Sequence, residues 1–105
     1  MNATNLEIDI ASILFNLSSQ ANLQKRGAWM AKMRVVAKDM TTGVYQAEQV
    51  INRYQFDNDK SDQQNCENIA DEINKMAEQF NGHDSEGYVV GTILDVASQI
   101  EALIK

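Results

Sequence analysis

The stretch ENIADEINKMAEQF, residues 67–80, strings Glu67, Asp71, Glu72 and Glu78 along one helical repeat. Carboxylates one turn apart are what a helix needs to grip a divalent cation, and such a cation can polarise a phosphoryl group for hydrolysis. The opposite chemistry sits earlier, in QKRGAWMAKMRVVAKDM, residues 24–40. There Lys25, Arg26, Lys32, Arg34 and Lys38 supply five of the chain's nine basic residues, beside its only tryptophan. Lysine and arginine grouped in this way neutralise phosphate backbones. Cys66 and His83 are the single members of their types. No nucleophile stands beside a base, so no catalytic residues are assigned, and a lone histidine in a turn makes no zinc pattern. No metal site and no cofactor are expected.

The acidic run resembles the magnesium-binding motifs of all-helical nucleotide pyrophosphohydrolases, which hold the metal between acidic motifs on two helices. The resemblance implies Glu67, Asp71, Glu72 and, from the last helix, Asp95 as the site of a divergent metal-dependent nucleotide hydrolase. It departs from that pattern at Lys75, which occupies the place of the third acid of EExxE. The last helix also lacks an ExxD motif, offering only Asp95 and Glu101. Asp71 and Lys75 have instead the spacing of an ordinary surface ion pair. The linker DNDKSDQQNCEN, residues 57–68, resembles an EF-hand calcium loop, with Asp57, Asp59 and Ser61 at the first, third and fifth liganding places. Asp62 stands where that loop turns on glycine, and Asn68 where it has a bidentate glutamate. An acidic, solvated face is the reading preferred to both metals.

On a wheel of about 100° per residue with Trp29 at zero, the apolar positions from Trp29 to Tyr54 cluster within about 60° of a centre near 30°. On the same wheel Lys25 and Lys32 fall to one side of that centre, Arg26 and Arg34 to the other, and Lys38 nearly behind it. The cations thus surround the stripe and form no face of their own. Cations so placed run their stems along a core, and nucleic-acid binding is disfavoured, though kept as an alternative. The net charge of −6 argues the same way.

These residues require positioning elements, and composition restricts what those can be. A chain of 105 residues with 44% hydrophobic and 23% charged residues has ordinary globular values, and proline is absent. One domain, 1–105, is expected. A single cysteine forms no internal disulfide, no apolar run reaches the length of a membrane span, and no export signal is visible at the start. A cytoplasmic protein without a membrane contact is expected.

Periodicity predicts four helices and no strand. The first starts at Thr4, which has capping-box spacing to Glu7, and carries Leu6, Ile10, Ile13, Leu14 and Leu17. Asn16, Ser18, Ser19 and Gln20 weaken it, and Asn22 caps its successor. The second is expected to be the longest, about 22–54, with a kink allowed near Thr42-Gly43; Trp29, Met33, Val36, Ala37, Met40, Val44, Ala47, Ile51 and Tyr54 keep one phase. Ser61 and Gln64 open the third, with Cys66, Ile69, Ile73, Met76, Ala77 and Phe80 inward and Asn81-Gly82 as its stop. Asp84 or Ser85 caps the fourth, with Glu86 in its first turn and Val89, Val90, Ile93, Leu94, Ala97, Ile100 and Ile104 inward. The fold class is all-α, an antiparallel bundle of three long helices and a shorter first one.

On the fourth helix, Gly87, Gly91, Ser98 and Ala102 fall within about 60° of one another, opposite Ile93 and Ile100. A strip of small residues lets a second backbone approach, and Tyr88 beside it could anchor a partner. The function expected is therefore a non-enzymatic interaction module that binds another protein, including a second copy of itself as a homodimer. Small acidic helical chains of this kind occur as phage or mobile-element accessory proteins and regulators, an analogy of class only.

Overall fold

Leu6, Ile10, Ile13, Leu17 and Ala21 recur at steps of three or four and are all buried, so the first stripe outlasts Leu17 by a further turn. Helix α1 accordingly spans Ala3–Gly27. The computed structural model describes residues 3–27, 31–80 and 87–104, with side chains placed at 5–26, 34–80 and 87–104. Three further helices follow: α2 at Ala31–Arg53, α3 at Asp62–Glu78 and α4 at Tyr88–Ala102. All four pack into one all-α bundle.

Two expectations about length are corrected. The first helix has 25 residues against 23 for α2, so it is not the short member and α2 is not clearly the longest. Residues 22–27 belong to α1, so the long helix does not begin at 22. The cause is local: the polar residues Asn16 and Gln20 are exposed and interrupt the surface, while Ala21 extends the buried face in phase. The stripe of α2 is read only from Trp29 onward and carries no information about 22–28.

Helix α2 runs through Thr42-Gly43 without interruption. The hydroxyls of Thr41 and Thr42 donate back to the carbonyls of Ala37 and Lys38, at 3.0 and 3.1 Å. Gly43 is buried against α4. A Cβ built there would lie 2.7 Å from Thr92 Cβ and 2.9 Å from the Val89 carbonyl oxygen. Missing side-chain volume at Gly43 is thus what lets the two helices touch.

Ser61 caps α3 as its spacing predicts. Its hydroxyl accepts from the Gln64 N–H at 3.1 Å, and the Gln64 side chain accepts from the Ser61 N–H. Helix α3 closes on Gln79, whose N–H reaches the carbonyls of Met76 and Ala77. Helix α4 starts from Gly87, held at φ 78° in the left-handed region that glycine enters without strain. The expected stops and caps at Asn81-Gly82, Asp84 and Ser85 lie outside the described residues, as do the side chains of Thr4, Trp29, Lys32, Met33, His83 and Glu86.

One core joins the helices. Leu6 and Ile10 of α1, Ile69 and Ile73 of α3, and Ile93 and Ile100 of α4 are fully buried around Val44, Ala47 and Val50 of α2. Each of the large side chains contributes about 1.5–3 kcal/mol by leaving water. On α4 two apolar positions differ from expectation, Leu94 being 44% exposed and Val96 buried instead; on α2 and α3, Val50 and Ala70 are buried outside the expected stripes. Leu94 lies about 115° from the centre of the α4 stripe, beyond the arc a neighbour covers.

Helix α1 packs chiefly on α2 and less on α4. Glu7, Ile10 and Leu14 share a groove with Glu48, Ile51 and Asn52, while Lys25 faces Arg34 and Lys38, so α1 and α2 are antiparallel. At 1.5 Å per residue α1 is about 37 Å long and α3 about 25 Å. The molecule measures 49 × 27 × 23 Å.

Candidate functional site

The acidic residues come first, because chemistry would begin there. Glu67, Asp71 and Glu72 on α3 and Asp95 on α4 are all exposed. Glu67 accepts a hydrogen bond from Gln63 at 3.3 Å. Asp71 and Glu72 border an open cleft of about 790 Å³ between α3 and the linker, opposite Asp57 and Asp59. Lys60 and Lys75 line the same cleft and interleave positive charge among those carboxylates. Among the described residues no three histidine, cysteine or carboxylate side chains gather closely enough to hold a metal ion.

The linker that resembles a calcium loop is built by internal hydrogen bonds. Asp57 Oδ1 accepts from the Asp59 N–H at 2.9 Å, an Asx turn, and Ser61 is committed to capping α3. Below them lies a residue that periodicity did not single out. Asn65 is buried; its Oδ1 accepts from the Tyr54 hydroxyl at 3.0 Å and the Asp57 N–H at 3.2 Å, and its Nδ2 donates to the Asp57 carbonyl at 3.1 Å. Tyr54 also meets Phe56 edge-on, with ring centroids 5.1 Å apart. One amide thus ties the end of α2 and the linker to α3. The only sequence signal was an asparagine one step from the Cys66–Ile69–Ile73 stripe, on its buried side.

Burial pushes the Tyr54 hydroxyl above its ordinary value, with Asn68 opposing and Glu72, Asp57 and Cys66 adding to the rise. The phenol stays protonated and remains a donor. Burial likewise raises the Cys66 thiol, helped by the charges of Asp62 and Glu67. Cys66 is fully buried, a packing residue and not a nucleophile.

The basic stretch is divided between two helices. Lys25 and Arg26 end α1, whereas Arg34 and Lys38 are exposed on α2. A single wheel therefore misplaces Lys25 and Arg26. The hairpin brings Lys25, Arg34 and Lys38 together around a hollow of about 330 Å³ with Thr41 and Thr42. Both threonine hydroxyls spend their protons on backbone carbonyls, so the donors facing that hollow are the three cations.

On α4, Gly87, Gly91, Ser98 and Ala102 are exposed and Tyr88 is half-buried. A Cβ at Gly91 would meet nothing within 4 Å, so no described backbone of the chain approaches the strip there.

A larger feature lies on α1. Ile8, Phe15 and Leu23 are 58, 71 and 67% exposed. They fall within about 80° of one another on a wheel, on the side opposite Leu6, Ile10, Ile13 and Leu17. Helix α1 therefore has two apolar faces, and the described bundle covers one. The spacing of Ile8, Phe15 and Leu23 is present in the sequence, but the longer Leu6–Leu17 stripe carries the stronger periodic signal and masks it.

Comparison with protein-family models, curated proteins and solved structures finds no significant match to the chain. No helix among the described residues is long and apolar enough to cross a membrane.

Proposed function

We propose that this chain is a non-enzymatic protein-interaction module that associates with itself. The observation that supports the reading is the second apolar face of α1. Large apolar side chains in line on a single helix lower the free energy when a partner covers them, and isolated exposed ones do not call for one. The exposed carboxylates, interleaved with lysines, offer little to a catalytic mechanism. A reducing compartment, the cytoplasm, fits a chain whose only cysteine is a buried free thiol. Sedimentation equilibrium over a wide concentration range tests the reading. A mass that rises from one chain toward two supports it, and a constant single-chain mass refutes self-association.

A second reading has its own observation: Lys25, Arg34 and Lys38 share one hollow, with Arg26 nearby in sequence and Lys32 on the same hairpin. This arrangement suits a nucleic-acid phosphate backbone. Binding of a duplex or single strand in low salt, weakening steeply as salt is added, would favour it; no binding at about 50 mM salt rules it out.

A further inference from the structure

The outward face of α1 also constrains what covers it, an inference that rests on the self-association reading. We propose that α1 docks antiparallel against α1 of a second copy, about a two-fold axis beside Phe15. Phe15 lies at the middle of Ala3–Gly27. An axis passing between Phe15 and Asn16 sets Ile8 opposite Leu23 of the second copy and Ser12 opposite its Ser19, because each pair is evenly spaced about that point. Phe15, the most exposed aromatic among the described residues, then meets its own copy at the centre, and the two aliphatic side chains close both ends. Ser12 already donates to the Ile8 carbonyl at 3.0 Å, so covering it strands no hydroxyl.

Charge selects the antiparallel second copy over a generic apolar partner. Glu7 and Lys25 stand about five turns apart and therefore on the same flank of α1. That flank lies about 120° from the centre of the Ile8–Phe15–Leu23 face, on the α2 side, so an antiparallel two-fold brings the Glu7 end of each copy alongside the Lys25 end of the other without pairing the two side chains directly. Helix α2 extends the match on the same side. Glu7 shares its groove with Glu48, while Lys25 shares its hollow with Arg34 and Lys38. The cationic end of each hairpin thus overlies the anionic end of the other, twice per dimer. A parallel pair would stack like on like. One seam about 37 Å long is short for a standard interface, so the dimer is expected in the micromolar range.

The test combines sedimentation equilibrium with cysteine pairing. Phe15→Glu puts two like charges beside the axis and is expected to weaken dimerisation by at least about a hundredfold, leaving the circular dichroism spectrum unchanged. Glu7→Lys and Lys25→Glu should each weaken it about twofold, and the double exchange should weaken it further, because it reduces the charge separation between the two ends of the hairpin. Mild oxidation of mixed Ile8→Cys and Leu23→Cys chains should give a disulfide dimer that neither variant gives alone, with buried Cys66 inert. Gly91→Leu, on the α4 strip, should leave the dimer constant as it was. A wild-type dimer indifferent to Phe15→Glu, or one abolished by Gly91→Leu, overturns the α1 seam while self-association stands. Disulfide dimers from each single variant alone would mean a parallel pair and overturn the antiparallel arrangement. A wild type monomeric at every concentration overturns both, and leaves a different protein as the occupant of the face.

Discussion

Replacing Gly43 and Gly91 separately by alanine makes the same chemical change inside two helices, and the structure assigns the two changes opposite signs. In a helix interior, glycine to alanine stabilises by about 0.8–1 kcal/mol, because the alanine chain loses less backbone freedom on folding. At Gly91 that gain stands nearly alone, since a Cβ meets nothing within 4 Å. Gly91→Ala should therefore stabilise by about 0.5–1 kcal/mol. At Gly43 the new methyl would lie 2.7 Å from Thr92 Cβ and 2.9 Å from the Val89 carbonyl oxygen. Carbon atoms in contact prefer about 3.5–4.0 Å, and neither obstacle can swing aside as a side-chain tip would. Overpacking of this kind costs about 1–3 kcal/mol, and the backbone contact puts Gly43 in the upper part of that range. The net effect is a loss of about 1–2 kcal/mol, and a gap between the two variants of about 2–3 kcal/mol. Near 100 residues each kcal/mol moves the midpoint by about 4–8 °C, so the melting curves should separate by roughly 10–20 °C. Differential scanning calorimetry at one low protein concentration measures this directly. Equal shifts, or a stabilised Gly43→Ala, would refute the close α2–α4 crossing.

Other outcomes follow from the linker, the buried acids and the acidic cleft. Asn65→Ala removes three hydrogen bonds and leaves the Asp57 N–H and the Tyr54 hydroxyl without the partner they have here, while the Asp57 carbonyl keeps the Lys60 N–H, so urea unfolding should show a loss of about 2–3 kcal/mol; a loss below about 1 kcal/mol would mean that water replaces the amide without cost. Cys66 and Tyr54 have folded values raised chiefly by burial, so the neutral forms are favoured in the native state. Their contribution is full below the ordinary thiol value of 9.0 and fades as pH rises through the raised folded values. Urea midpoints should therefore fall on the alkaline side, less so in Cys66→Ala, and a midpoint that rises there contradicts the burial. Magnesium or manganese should leave the melting temperature unchanged, because native-specific binding would raise it and no three ligands gather among the described residues.

Much of the bundle was legible because its signals are local. The Ser61–Gln64 capping box needs only three residues of separation, and it formed. The stripes of α3 and α4 were read from a repeat of three and four, and Cys66, Ile69, Ile73, Ile93 and Ile100 are buried as expected. Errors arose where a decision depended on what lies across from a residue. Polar Asn16 and Gln20 suggested an end to α1, although their face is one that no described neighbour covers. Lys25 and Arg34 share one wheel only if residues 22–54 form one helix, whereas they face each other across a helical hairpin.

By itself, then, the sequence determined the class of structure: an acidic, proline-free chain with helical periods can bury its apolar residues only by packing helix on helix. It also held Gly43, Gly91 and, unassigned by the periodicity, a second face of α1. Tertiary structure alone decided between them. It places α4 against Gly43 and nothing described against Gly91, and it buries Leu6 and Ile10 while leaving Ile8 and Phe15 exposed. The physical reason is that periodicity reports which side chains share a face. Whether water or another helix meets that face depends on how distant segments cross.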